Sequence, residues 1–244
     1  MTLPGDRLPL LIACALGIER LALRHHAAAA DAAAGPVTVL RTGMGPEAAG
    51  RAVASALRGE AEEGGTAVLA TGFCAGLVPG MHPGDLVVAE ETRDASGRTE
   101  CTGTGRLAQA LSAYGTVHTG PVAGSAHVVR GPARAALHSA SGAVAVDMES
   151  AATLRSAMLT AGPLPTPVTG AVAVAGAGAG EEGDRPSVAA LRRPVAAVRV
   201  VVDAPGHELI RLGTLRGGIS AFRVLRSILP AFLEWHRSLL LPWR

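Results

Sequence analysis

The stretch Leu8-Pro9-Leu10-Leu11-Ile12-Ala13-Cys14-Ala15, followed at once by Gly17–His26, decides how the rest of the chain is read. A short, unbroken apolar run is the pattern of a strand covered on both faces, and the segment after it has helical character. The same alternation recurs. Val37–Arg41 reads as a second strand, breaking at Thr42-Gly43-Met44-Gly45-Pro46, with an alanine-rich helix over Glu47–Arg58 that has Pro just before its start. Thr66–Thr71 reads as a third strand ending in the turn Gly72-Phe73-Cys74-Ala75-Gly76, and Gly84–Ala89 as a fourth. Helices are expected at Arg106–Tyr114, Ala133–Ala140 and Met148–Leu159, with strands at Val117–Ala123, Val144–Val146 and Val195–Val202. Short apolar strands alternating with helices imply an α/β fold: one domain over residues 1–244 with a mixed, largely parallel central sheet flanked by helices. In such sheets ligands bind beyond the carboxyl ends of the strands.

Composition bounds the function. The 244 residues are 48% hydrophobic and 17% charged, which excludes a disordered chain. A formal charge of +2, with no basic cluster interleaved with aromatic residues, argues against nucleic acid as a partner. All 22 basic residues are Arg, so Schiff-base chemistry and a phosphate-loop lysine are excluded. Three well-separated cysteines, Cys14, Cys74 and Cys101, form no close pair and fit a reducing cytoplasm; no metal or cofactor is expected. No uninterrupted apolar segment of 18 residues is present, so no bilayer span is expected.

Residues 160–193 are rich in Ala, Gly and Pro and read as a flexible insertion with a short strand near Ala171–Ala175. Its run Gly176–Gly180 lacks both the Walker lysine and the dinucleotide spacing and is read as a loop. Residues 219–244 interleave Ile228, Leu229, Phe232, Leu233 and Trp235 with Arg223, Arg226 and Arg237, and Pro230 is expected to kink them. Such an amphipathic segment suits peripheral contact with the inner face of a membrane or a greasy substrate mouth, and its plainer reading, which can share the segment, is a last helix packed on the sheet.

Four motifs, in order, carry a resemblance: Ala15-Leu16-Gly17-Ile18-Glu19; Arg41-Thr42-Gly43-Met44-Gly45; Thr71–Leu77 with Gly84–Val88; and Val146-Asp147-Met148-Glu149-Ser150-Ala151. Together they resemble the purine nucleosidase and nucleoside phosphorylase family, which includes the methylthioadenosine/S-adenosylhomocysteine nucleosidases. The resemblance runs from about residue 8 to about residue 210, and the fourth motif is its most specific part. The family also carries Pro, four mostly apolar residues, Arg, three residues and Asp. Pro194–Asp203 matches that pattern in both Arg199 and Asp203, whereas the competing Pro167–Gly176 ends in glycine, so Asp203 is chosen.

The resemblance implies roles. Asp203 donates to N7 of the departing purine, a task for a carboxyl of raised pKa. Glu149 accepts hydrogen bonds from the two ribose hydroxyls, with Met148 packed under the sugar. Glu19 holds the attacking water. His127 and Val128 lie where relatives stack a ring on the base, and Phe73, Cys74, Ala75 and Gly76 form the glycine-rich substrate turn. Each has a plainer reading: a strand-end helix cap for Asp203, a first-turn helix charge for Glu19, core packing for Met148. Asp147 is expected to point away from the pocket and serve the helix start.

Phosphorylases of this family hold phosphate near the third strand's end, where this chain has Ala70 and Phe73, so water is the favoured acceptor and Arg41 the one candidate phosphate contact. The tail and Arg199–Gly206 look most like the hopanoid-associated members, which implies release of adenine from adenosylhopane, a lipid-linked purine nucleoside. Cleavage of a small soluble nucleoside of the methylthioadenosine or futalosine type is the alternative, and so is a nucleoside-binding protein without catalysis. The resemblance also implies a homo-oligomer.

Overall fold

The computed structural model describes residues 8–27, 35–58, 65–160, 193–205 and 214–239. Residues 161–192 of the expected insertion, including Gly176 and the strand expected at Ala171–Ala175, fall outside the described residues, as do Leu240, Leu241, Trp243 and Arg244. Among the described residues, eight strands form one sheet: β1 Leu10–Cys14, β2 Val37–Arg41, β3 Ala67–Gly76, β4 Leu86–Asp94, β5 Gly97–Glu100, β6 Val117–Gly124, β7 Ala145–Asp147 and β8 Val195–Asp203. Seven α-helices accompany them: α1 Gly17–Ala27, α2 Pro46–Ala56, α3 Thr104–Leu111, α4 Pro132–Ser141, α5 Ser150–Leu159, α6 Thr214–Ser227 and α7 Leu229–Ser238.

The strand order is β2-β1-β3-β7-β6-β4-β5, and β8 pairs with both β3 and β4. That second pairing closes β3, β7, β6, β4 and β8 into a ring, so the central sheet is mixed and barrel-like, with β1 and β2 extending it on one side. Pairings β1–β2, β1–β3, β3–β8, β4–β6 and β6–β7 are parallel, while β3–β7, β4–β5 and β4–β8 run antiparallel. The five residues of β1 are all buried, as their continuous apolar pattern requires.

Two cores lie on opposite faces of the sheet. One joins Leu10, Ile12, Leu69, Leu86, Val198 and Val200 to α3, α6 and α7 through Leu107, Leu225, Phe232 and Trp235. The other joins Leu11, Val68, Val87 and Val201 to α2 and α5 through Val53 and Leu154.

Three sequence expectations change. The stretch Gly72–Gly76 is not a turn; it continues β3, whose pairing with β8 runs from Val68 to Ala75 with a bulge after Cys74. The hairpin strand β5 carries no apolar run and was absent from the sequence reading. The third concerns the tail. Ile228, Leu229, Phe232, Leu233 and Trp235 are buried, and the indole N–H of Trp235 donates to the carbonyl of Thr102 at 2.8 Å. Arg223, Arg226 and Arg237 face outward. Across the described part of the tail the apolar residues of 228–235 pack on the sheet, as a packed last helix requires, while Ile219 stays 42% exposed. Among the described residues no helix is long and apolar enough to cross a membrane.

Candidate active site

The carboxyl ends of β1, β3, β7 and β8 open onto one cavity of about 390 Å³. Its lining includes Leu16, Glu19, Met44, Phe73, Cys74, Ala75, His127, Val128, Met148, Glu149 and Asp203. Asp147, expected to point away, lines it as well, so four carboxylates, Glu19, Asp147, Glu149 and Asp203, meet in a largely apolar hollow. Arg41 and Gly76 do not line it. Gly76 instead pairs with Ala145 and sits so close to Met81 that a Cβ there would lie 2.8 Å from its sulfur, a packing role. Arg41 ends β2 with its side chain exposed.

Glu19 is 2% exposed, which removes the solvent-facing helix charge as its explanation. One of its oxygens accepts from the backbone N–H of Phe73 at 2.9 Å and the other from that of Leu16 at 2.8 Å. This grip depends on Gly72. At φ 134° its backbone takes a conformation that side chains disfavour, and a Cβ there would stand 2.5 Å from Glu19 Oε1 and 2.8 Å from Arg199 Nη1.

Glu149 immediately precedes α5, and Oε1 accepts the backbone N–H of Gly45 at 2.9 Å, tying the site to the turn before α2. Burial pushes the Glu149 carboxyl above its ordinary range, and the charges of Asp147 and Glu19 push the same way; Arg199 and the Gly45 N–H oppose them. Met148, half-buried, lies between this cavity and a second one bounded by Pro46, Ser125 and Arg155.

Asp147 is taken up by structure. Its Oδ1 accepts the backbone N–H groups of Glu149 at 3.1 Å and Ser150 at 2.9 Å, capping the start of α5, and Oδ2 pairs with Arg199 Nε at 2.5 Å. The same Nε donates to Ser150 Oγ at 2.8 Å, and Nη1 donates to the Thr71 carbonyl at 2.9 Å. Burial works against the charge on Arg199, but Asp147, Glu149 and Glu19 outweigh it and hold its pKa above the ordinary value. Arg199 is thus the cation that lets three carboxylates share a buried neighbourhood. The sequence marked it only as a position in a pattern.

Asp203 ends β8 and is 3% exposed. Its Oδ2 forms an ion pair with Arg134 of α4, itself 3% exposed, a partner that sequence reading did not find. His127 and Val128 are both exposed at the rim, in a loop held by reciprocal bonds between Ser125 Oγ and the His127 backbone. Cys74 is buried and burial drives its thiol pKa far up, so it lines the cavity as a small apolar group.

The Phosphorylase superfamily model matches residues 5–190, most of the chain, and stops short of β8. No curated protein matches the sequence. Among solved structures, 5′-methylthioadenosine/S-adenosylhomocysteine nucleosidase from S. pneumoniae, held with a transition-state inhibitor, is 18% identical with a TM-score of 0.64, covering 93% of this chain and 99% of its own. Native futalosine hydrolase of Helicobacter pylori is 13% identical with a TM-score of 0.66, covering 93% and 97%. The corresponding nucleosidase from Colwellia psychrerythraea, in complex with adenine, is 15% identical with a TM-score of 0.64, covering 96% and 97%.

Proposed function

The chain belongs to the Phosphorylase superfamily, and from that premise we propose that it is a purine nucleosidase, cleaving the bond between C1′ of a ribose and N9 of a purine. The observation that carries the reading is the convergence of Glu19, Glu149 and Asp203 on one cavity. Cleavage builds positive charge on the sugar and negative charge on the base, so the site needs anionic groups at the sugar and a donor at the base. Glu149, fixed by Gly45, accepts from the ribose hydroxyls, and Met148 packs beneath the ring. Asp203 gives its proton to N7 while the C1′–N9 electron pair leaves with the purine. Water forms the new C1′–O bond and passes a proton to Glu19, whose oxygens are held by Leu16 and Phe73. One water is consumed and one free base released.

Water is preferred to phosphate because no arginine lines the cavity among the described residues, while Glu19, Asp147 and Glu149 do. A phosphate there would meet carboxylates without a bidentate partner.

For the substrate's other end, the reading is adenosylhopane, giving adenine and a ribosylated hopanoid. Its support is now the rim rather than the tail: Met44 and Val128 line the cavity yet are 70% and 59% exposed, and Ile18 and Leu21 on α1 are 52% and 54% exposed close to Glu19 in sequence. Apolar side chains left in water at the rim of the pocket suit an apolar substituent on the ribose. A small nucleoside of the methylthioadenosine or futalosine type is the second reading, favoured by a cavity of about 390 Å³, which accommodates a nucleoside but no triterpene.

The test is direct. Purified protein is incubated with adenosylhopane, methylthioadenosine and futalosine, with and without phosphate, and free base is quantified. Base release from adenosylhopane at a kcat/KM at least ten times that for the others, without phosphate, is the expected result. Comparable turnover of the small nucleosides removes the lipid from the reading, a strict phosphate requirement makes it a phosphorylase, and no base from any substrate leaves only nucleoside binding.

A further inference from the structure

Arg134 comes from the first turn of α4, in a part of the chain to which no motif points. Its Nη2 pairs with Asp203 Oδ2, and its Nε donates to the carbonyl of Val129 at 3.2 Å. Val129, Val128 and His127 line the same cavity as Asp203. One buried guanidinium therefore ties the rim loop over 125–131 to the carboxyl at the end of β8. Among the described residues, Asp203 Oδ1 and Arg134 Nη1 are both buried without a hydrogen-bond partner. A buried polar atom without a partner is costly, and a pair of them at one contact indicates groups kept in readiness for something that enters.

Resting on the nucleosidase reading, we infer that Arg134 is a positioning residue that decides which oxygen of Asp203 carries the proton to the purine. A guanidinium has donors only, so the oxygen facing it must accept. Any proton on the Asp203 carboxyl therefore sits on Oδ1, the oxygen left without a partner. When that proton passes to N7, the C1′–N9 pair leaves with the base and the carboxylate that remains already has a cation at Oδ2. The stabilising charge is in place before the reaction and needs no rearrangement during it. Because the guanidinium also holds the Val129 carbonyl, the rim loop and the proton donor are set at a fixed separation.

The prediction separates leaving groups. Adenine needs a proton as it departs; p-nitrophenol leaves as a stable phenolate and needs none. Arg134→Gln is expected to lower kcat for adenosine by 100-fold or more with KM within about 3-fold, the range for losing one acid or one preorganised charge. Its turnover of p-nitrophenyl β-D-riboside should stay within about 5-fold of the unaltered protein, read as phenolate absorbance. Arg134→Lys should recover part of the adenosine loss, since it keeps charge without the fork. In a double-mutant cycle, adding Arg134→Gln to Asp203→Asn should cost nothing more on adenosine, because the group it acts through is gone.

Asp203→Asn also removes the buried carboxylate that Arg134→Gln would strand. The cycle therefore remains readable, with Arg134→Lys in place of Arg134→Gln, if the single Gln variant does not fold. Equal losses on both substrates would make Arg134 merely structural and overturn the assignment, as would additive losses in the cycle. An unaltered protein that releases neither adenine nor nitrophenol from these ribosides, and no base from adenosylhopane, methylthioadenosine or futalosine, overturns the nucleosidase reading itself, and the assignment with it.

Discussion

The mouth of the sheet and the carboxyl-terminal helices place charge and apolar surface in opposite ways. At the mouth, Glu19, Asp147, Glu149, Arg134, Arg199 and Asp203 are all buried, against the general rule that such groups stay in water. In α6 and α7 the rule is obeyed with the exception of His236: Phe232 and Trp235 are buried, and Arg223, Arg226, Glu234 and Arg237 are exposed. The tail is organised to hold the fold together. The mouth is organised at the fold's expense, since buried charges cost several kcal/mol each unless paired. Regions that break the rules of stable folding are where function is to be sought.

The largest effect expected from that contrast comes from the cation at the mouth. Arg199→Met strands Asp147 and leaves Glu19 and Glu149 without their counter-charge, so unfolding free energy in urea should fall by about 3–5 kcal/mol. A loss below about 1 kcal/mol would show that the carboxylates do not need it. Next is Gly72→Ala. The methyl group must displace Glu19 or Arg199, and φ 134° is strained for alanine, at a cost of about 1–3 kcal/mol. Because Glu19 is the nearer of the two to the added methyl, kcat should fall while KM for the nucleoside stays close to its original value. Unchanged kcat in a destabilised Gly72→Ala protein would separate Glu19 from the chemistry.

Much of this was legible in the sequence, and the misses have physical causes. Val37–Arg41 was bounded correctly because its ends carry turn residues, and the buried strands announced themselves as apolar runs. Gly72–Gly76 reads as a turn because glycine signals bending, while at this position the chain bends without giving up its pairing with β8. The three pocket carboxylates were recognisable because each sits inside a local motif. Arg134 was not, since it meets Asp203 across 69 residues of chain and lies in an ordinary alanine-rich helix. The tail misled for a related reason: periodicity shows that one face of a helix is apolar but not what covers it.

The tail itself is tested by a smaller change. Trp235→Phe keeps most of the apolar volume but removes the N–H that satisfies the Thr102 carbonyl, for a loss of about 1–2 kcal/mol. A membrane-facing indole would give a different signature, with stability unchanged and cosedimentation with anionic vesicles reduced. Stability alone is expected to move.

The smallest expected effect is a pH dependence seated in the same helix. His236 is fully buried two residues before the end of α7, and burial pushes its pKa below the ordinary 6.5, with Arg237 adding to the shift and a backbone contact at Leu8 opposing it. The unfolded chain therefore binds a proton more readily than the folded one. Stability from this group is fully present above about pH 6.5 and is lost as pH falls through the lowered folded value. Chemical denaturation at pH 7.5 and at pH 5 should show the decline, and His236→Gln should flatten part of it, since glutamine has no proton to take up. A decline that His236→Gln leaves unaltered would move the acid sensitivity from the tail to the mouth and reverse the assignment of which region keeps the fold stable.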